Sequence, residues 1–250
     1  MKRLIATLAL LALPIHVLAA ERTERFYGYA YDLNTGRYLY TEVHQQRASG
    51  EKWTGGSIRY FLPDGKEFGI KTLDFSANPI IPLYRLELSA RGGYSEGISA
   101  VGEKIELFRQ DYGEAAPRKA LVDQRLPMTA DSGFHSFLRA HFEELLEGKV
   151  LEFRFAVAGY LDVFKFRAKR VEDSSFEGKP AVRLRVEPDS LLSLLGKPLE
   201  ISYEPGERRL VEYRGISNIH DPATGEPFDV RIAYYKKKPA DAPATLPPLE

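Results

Sequence analysis

Apolar and charged side chains alternate with period two through most of the chain, and period two predicts strands. Leu151, Phe153, Phe155 and Val157 point one way, while Glu152 and Arg154 point the other. The same pattern recurs in Val182 to Glu187, Phe228 to Tyr234, Tyr84 to Ser89 and Phe164 to Arg167. One apolar face and one wet face per strand is how antiparallel sheets read. Turn residues punctuate the runs at Asn34-Thr35-Gly36, Pro63-Asp64-Gly65, Glu177-Gly178 and Pro205-Gly206. If the first hairpin closes around Asn34-Thr35, Tyr31 faces Tyr38 and Tyr29 faces Tyr40.

Period 3.6 breaks this pattern once. Phe134, Phe137, Leu138, His141 and Leu145 share one helical face, with Asp131 or Ser132 before it and Gly148 after it. A helix is expected over about 133–147. Its glutamates, Glu143, Glu144 and Glu147, would suit the opposite end of the helix dipole better, so packing must hold it. A short helix is expected over about 190–195, between Pro188-Asp189 and Gly196. The fold class is therefore mainly β. We expect a large antiparallel curved sheet or half-barrel of about a dozen strands, covered by the central helix.

The first twenty residues stand apart. Lys2 and Arg3, an apolar run over Leu4 to Leu18 and the small residues Val17, Ala19 and Ala20 form the three-part pattern of a cleaved secretory signal. The expected organisation is a signal over 1–20, one β domain over 21–235 and a disordered Lys/Pro/Ala tail over 236–250. Export places the protein in the periplasm. With no cysteine there is no lipoprotein anchor, thiol catalysis or Cys-based metal site. Basic and acidic residues number 35 each, so no net field draws the chain onto nucleic acid.

The segments Tyr60 to Lys66, Lys71-Thr72-Leu73-Asp74-Phe75, Leu107-Phe108-Arg109 and Tyr213 to Asn218 resemble segments of uncharacterised bacterial periplasmic proteins. The layout of signal, curved sheet and covering helix resembles the open half-barrel of LolA-like and LppX-like lipoprotein carriers. That resemblance implies a hydrophobic cavity holding an acyl chain or similar ligand. It assigns no role to any residue.

Chemistry-bearing patterns are sparse. Gly93-Tyr94-Ser95-Glu96-Gly97 matches the nucleophile elbow, but a strand rather than a helix follows it, so it reads as a glycine-rich hairpin. His135, His141 and His220, with Asp123 or Asp162, leave a Ser95-based hydrolase as the third reading. His141 and Glu144 could share a metal, but two ligands make no zinc site, so no metal and no cofactor are expected. Glu42, Glu87, Glu106 and Glu152 read as the wet faces of strands. The leading expectation is a non-enzymatic binding protein holding a hydrophobic, lipid-like ligand between sheet and helix. The expected lining is Phe134, Phe137, Leu138, His141, Phe153, Phe155, Phe164 and Phe166. The alternative is a cell-envelope structural or assembly factor with a protein partner and no small ligand. Neither reading involves nucleic acid, or a transmembrane segment once the signal is cleaved.

Overall fold

The computed structural model describes residues 21–50, 52–89, 92–189 and 198–249. The signal over 1–20 and the short helix over 190–195 lie outside these residues. Sixteen strands occur among the described residues, more than the dozen expected, because several hairpins contain strands of only three to six residues. The first eight form an uninterrupted meander: β1 (Glu21–Asp32), β2 (Tyr38–Ser49), β3 (Lys52–Phe61), β4 (Glu67–Asp74), β5 (Leu83–Leu88), β6 (Tyr94–Val101), β7 (Lys104–Asp111) and β8 (Arg118–Asp123). After β9 (Met128–Ala130) come two helices, α1 (Gly133–Ala140) and α2 (Phe142–Leu146). A second run follows: β10 (Leu151–Val157), β11 (Asp162–Arg170), β12 (Ser174–Phe176), β13 (Lys179–Pro188), β14 (Leu199–Glu204), β15 (Arg209–His220) and β16 (Pro227–Ala233).

β16 pairs with β1, joining the two runs into one curved sheet. Strands β8 and β9 are its two ends and do not pair, so the barrel stays open there. Nearly all pairing is antiparallel; β9 with β10 is parallel. Short hairpins explain this, because antiparallel neighbours need only a tight turn whereas a parallel pair needs a crossover. The helices supply that crossover between β9 and β10.

One expected helix is two. The chain breaks at His141, whose backbone leaves helical geometry at φ −105° and ψ 18°. The break resolves the charge problem noted in the sequence: Glu143 and Glu144 now open a second helix, where negative charge is favoured. Phe134, Phe137, Leu138, Phe142 and Leu145 are all buried and pack on Leu151, Phe153, Leu184, Val186 and Ile201 of the sheet. Each such side chain contributes about 1.5–3 kcal/mol by leaving water. The start of α1 lies flush on the chain at Ile80. A Cβ on Gly133 would sit 2.4 Å from the Ile80 carbonyl oxygen, so only glycine allows this approach.

The first hairpin departs from the simple ladder. Tyr31 does pair with Tyr38, in an edge-to-face contact at 5.2 Å. A register shift at Ala30/Tyr31 then puts Tyr40 opposite Ala30 and Thr41 opposite Tyr29. The bulge moves Tyr40 onto the concave face. Tyr27, Tyr29 and Tyr31 stay on the convex face, where Ala242 and Leu246 pack against them. The tail, expected to be disordered, has neither helix nor strand, but it is laid across these rings. The Tyr27 hydroxyl donates to the Pro247 carbonyl at 2.6 Å, and the Tyr31 hydroxyl to Asp241 at 3.1 Å. Rings on the convex face give a proline-rich segment an apolar bed. Tyr27→Phe should free the end of the tail and cost about 1 kcal/mol; faster cleavage after Lys236 and Lys237 under limited trypsin digestion would report it.

Candidate functional site

A cleft of about 1750 Å³, open to solvent, runs between the curved sheet and the helix pair and reaches as far as Tyr27, Tyr29 and Leu246 of the tail-covered face. One wall is apolar, built from Phe134, Phe155, Phe166, Leu199, Ile201 and Tyr213. The opposite wall is the concave face of the first strand run, and it carries charge. Strand register explains why. Phe26, His44, Ile58, Lys71, Leu86, Glu96 and Arg109 are successive cross-strand neighbours on β1 to β7. Residues paired across a ladder share a face, so these seven form one row across the cavity floor.

Three polar groupings stand on this floor. In the first, Lys71 Nζ donates to both oxygens of Asp131, at 3.0 and 2.8 Å. Both side chains are only 7% exposed. Asp131 immediately precedes α1 in sequence. It also accepts bonds from the Ser132 backbone N–H and hydroxyl and from the Asn218 amide. One carboxylate thus fastens the helix start to β4 and β15 together. Asp131 has φ 41°, a left-handed conformation that Asp tolerates better than most residues.

In the second grouping Arg109 Nη1 donates to Glu96 Oε2 at 2.7 Å, and its Nε donates to Asp111 at 2.8 Å. The Tyr94 ring lies 3.4 Å from the guanidinium carbon, a close cation–π contact. Glu96 is deeply buried, and loss of water pushes its carboxyl above the usual carboxylate range against the pull of Arg109. In the third, His44 Nε2 and the Tyr234 hydroxyl both lie on Glu42 Oε2, at 2.8 and 3.1 Å. Phe26 stacks on the His44 ring with centroids 4.5 Å apart. Glu42 is 5% exposed, so it is not on a wet face as the alternation suggested. Glu87 and Glu106 do face outward, paired with Arg85 and Lys119.

Under the helices, the His135 ring stacks on Tyr203, the rings 4° from parallel, and its Nδ1 is hydrogen-bonded with the Tyr203 hydroxyl at 3.0 Å. Trp53 covers it at 5.2 Å. Burial, with the Arg139 charge adding to it, drives the His135 pKa down to about 3, so the ring is neutral.

The expected lining divides. Phe134, Phe155 and Phe166 stand on the cavity wall. Phe137, Leu138 and Phe153 are sealed in the apolar layer between α1 and the sheet. His141 turns outward at the helix break, its Nδ1 2.8 Å from Glu144, and Phe164 packs edge-on against exposed Tyr160. Sequence reasoning missed Glu42, His44, Lys71, Glu96, Arg109, Asp131 and Asn218. Their signal was present in β2, where Tyr40, Glu42, His44 and Gln46 alternate with Leu39, Thr41 and Val43, but polar faces were taken as wet.

Ser95 is the second residue of β6, within 3.5 Å of an Arg85 nitrogen, and β6 runs on as strand with no strand-to-helix turn. Gly97, the last glycine of that motif, is explained by packing: a Cβ there would fall 1.9 Å from the Tyr84 carbonyl oxygen. Among the described residues no three His, Asp or Glu side chains are grouped to hold a metal ion. Nor is any helix among them long and apolar enough to cross a membrane.

No protein-family model matches the chain, and no curated protein does either. Among solved structures it is similar to a β-barrel-like protein of a domain of unknown function, DUF1849, from Brucella abortus. The two share 8% identity and a TM-score of 0.49, over 85% of this chain and 99% of that one. The resemblance to lipoprotein carriers finds no support in these comparisons.

Proposed function

We propose that this protein is an exported, periplasmic binding protein that holds an apolar, lipid-like ligand between the concave sheet and the helix pair. The cavity is the observation that carries this reading. The open cleft it belongs to, about 1750 Å³ in all, exceeds the roughly 300–1000 Å³ usual for small-molecule pockets, which leaves room for a long chain. Its aromatic and aliphatic wall would gain about 0.8 kcal/mol for each methylene it removes from water. Lys71 and Arg109 already face Asp131 and Glu96, so these two pairs add polarity but no net charge to the floor. That favours a ligand whose polar end is small and whose bulk is hydrocarbon.

Native mass spectrometry of protein purified gently from the periplasm tests the reading. The expected result is an added mass of a few hundred daltons or more, released by organic solvent and identified as an apolar molecule. A bare polypeptide mass that stays unchanged after incubation with envelope lipids would overturn it.

A further inference from the structure

Two polar side-chain atoms that β2 places on the cavity wall lack partners among the described residues. His44 Nδ1 and Gln46 Oε1 are both buried, and among the described residues neither meets a hydrogen-bonding group. The two side chains are more than nine-tenths buried and line the same cavity. They are two residues apart on β2, so they project from the same face of the strand. A buried polar atom without a partner is costly, and native proteins seldom leave two side by side.

Their chemistry is the same. His44 Nε2 lies against the Glu42 carboxylate, which only accepts, so that nitrogen carries the proton. In the neutral ring Nδ1 is then left as an acceptor. Gln46 Oε1 is an acceptor as well. Phe26 and Tyr234 hold the imidazole between them, stacked and edge-on, so it cannot turn away to find a partner. Gly28 secures the arrangement from behind, since a Cβ there would come within 2.6 Å of Glu42 Oε2 and 2.9 Å of the Tyr234 ring.

We propose that His44 and Gln46 form the polar end of the ligand site and receive a head group that donates hydrogen bonds, a hydroxyl or an ammonium, on an apolar chain. This rests on the cavity being an apolar-ligand site, as argued above. A head group that only accepts would set lone pairs against lone pairs.

The test is displacement of a fluorescent apolar probe by three ligands of one chain length: dodecanol, dodecylammonium and methyl laurate. The alcohol and the ammonium donate; the ester only accepts. At least one donor should displace the probe at a concentration about tenfold lower than the ester, the effect expected when buried acceptors gain or lose a partner. Gln46→Leu should remove most of that preference while methyl laurate binds as before. Gln46→Met removes the same oxygen with less change of shape, should the leucine variant not fold. A tighter alcohol identifies a hydroxyl head; a tighter ammonium identifies an amine that also draws on Glu42. Equal potency of all three, or a preference for the ester, overturns the polar subsite and leaves the cavity reading standing. Displacement by none of them overturns both.

Discussion

Lys71→Met should destabilise the protein by about 3–5 kcal/mol, which is the usual cost of leaving one partner of a buried ion pair without its counter-charge. Lys71 and Asp131 are each 7% exposed, so water cannot replace the lost ammonium. The effect should also be local. Asp131 joins the start of α1 to β4 through Lys71 and to β15 through Asn218. An uncompensated carboxylate there would be driven towards solvent and would draw the helix start with it. Urea unfolding at neutral pH measures the first effect. Hydrogen exchange measures the second, with protection lost over 133–146 before the strands open. Pairing the change with Asp131→Asn should recover much of the stability, because asparagine carries no charge, tolerates the left-handed backbone and still offers Ser132 an acceptor. Equal losses in the single and double variants would show that packing, rather than charge, holds the helices down.

The antiparallel sheet was legible because period-two alternation is a local property. The strand over Leu151–Val157 and the apolar face of Phe134, Phe137 and Leu138 both follow from neighbours in sequence. The break at His141 was half legible. Glu143, Glu144 and Glu147 sat at the wrong end of a single helix, and the chain relieves part of that strain by starting a second helix at Phe142. What sequence alone did not yield was which face of each strand turns inward. Alternation assigns the apolar side to a core and the polar side to water. In a sheet curved around a cavity, the inner face of β2 can carry Glu42, His44 and Gln46. The row from Phe26 to Arg109 depends on six successive strand pairings, each fixed by a turn or a bulge. A one-residue slip in any of them would send half the row to the outside. The Lys71–Asp131 pair spans sixty residues, and nothing at either position marks it in advance.

The second large effect is a loss of stability in mild acid that traces to one ring. His135 is neutral in the folded protein, its pKa lowered to about 3 by burial, against 6.5 in the unfolded chain. Above pH 6.5 both states hold a neutral ring and the residue adds no pH dependence. As pH falls below 6.5 the unfolded chain takes up a proton that the folded protein refuses, so unfolding becomes easier. The loss accrues at about 1.4 kcal/mol per pH unit and ends only near pH 3. By pH 4.5 it amounts to about 2–3 kcal/mol. His135→Phe should keep the contacts with Trp53 and Tyr203 while deleting the titration. It leaves the Tyr203 hydroxyl without its hydrogen-bond partner, a cost of about 1–3 kcal/mol, but that cost is the same at every pH. Urea midpoints measured from pH 7 to pH 4.5 should therefore fall more steeply for the native protein than for the variant. Parallel curves would mean that the ring is already solvated in the folded state, and that the cavity beneath the helices admits water freely.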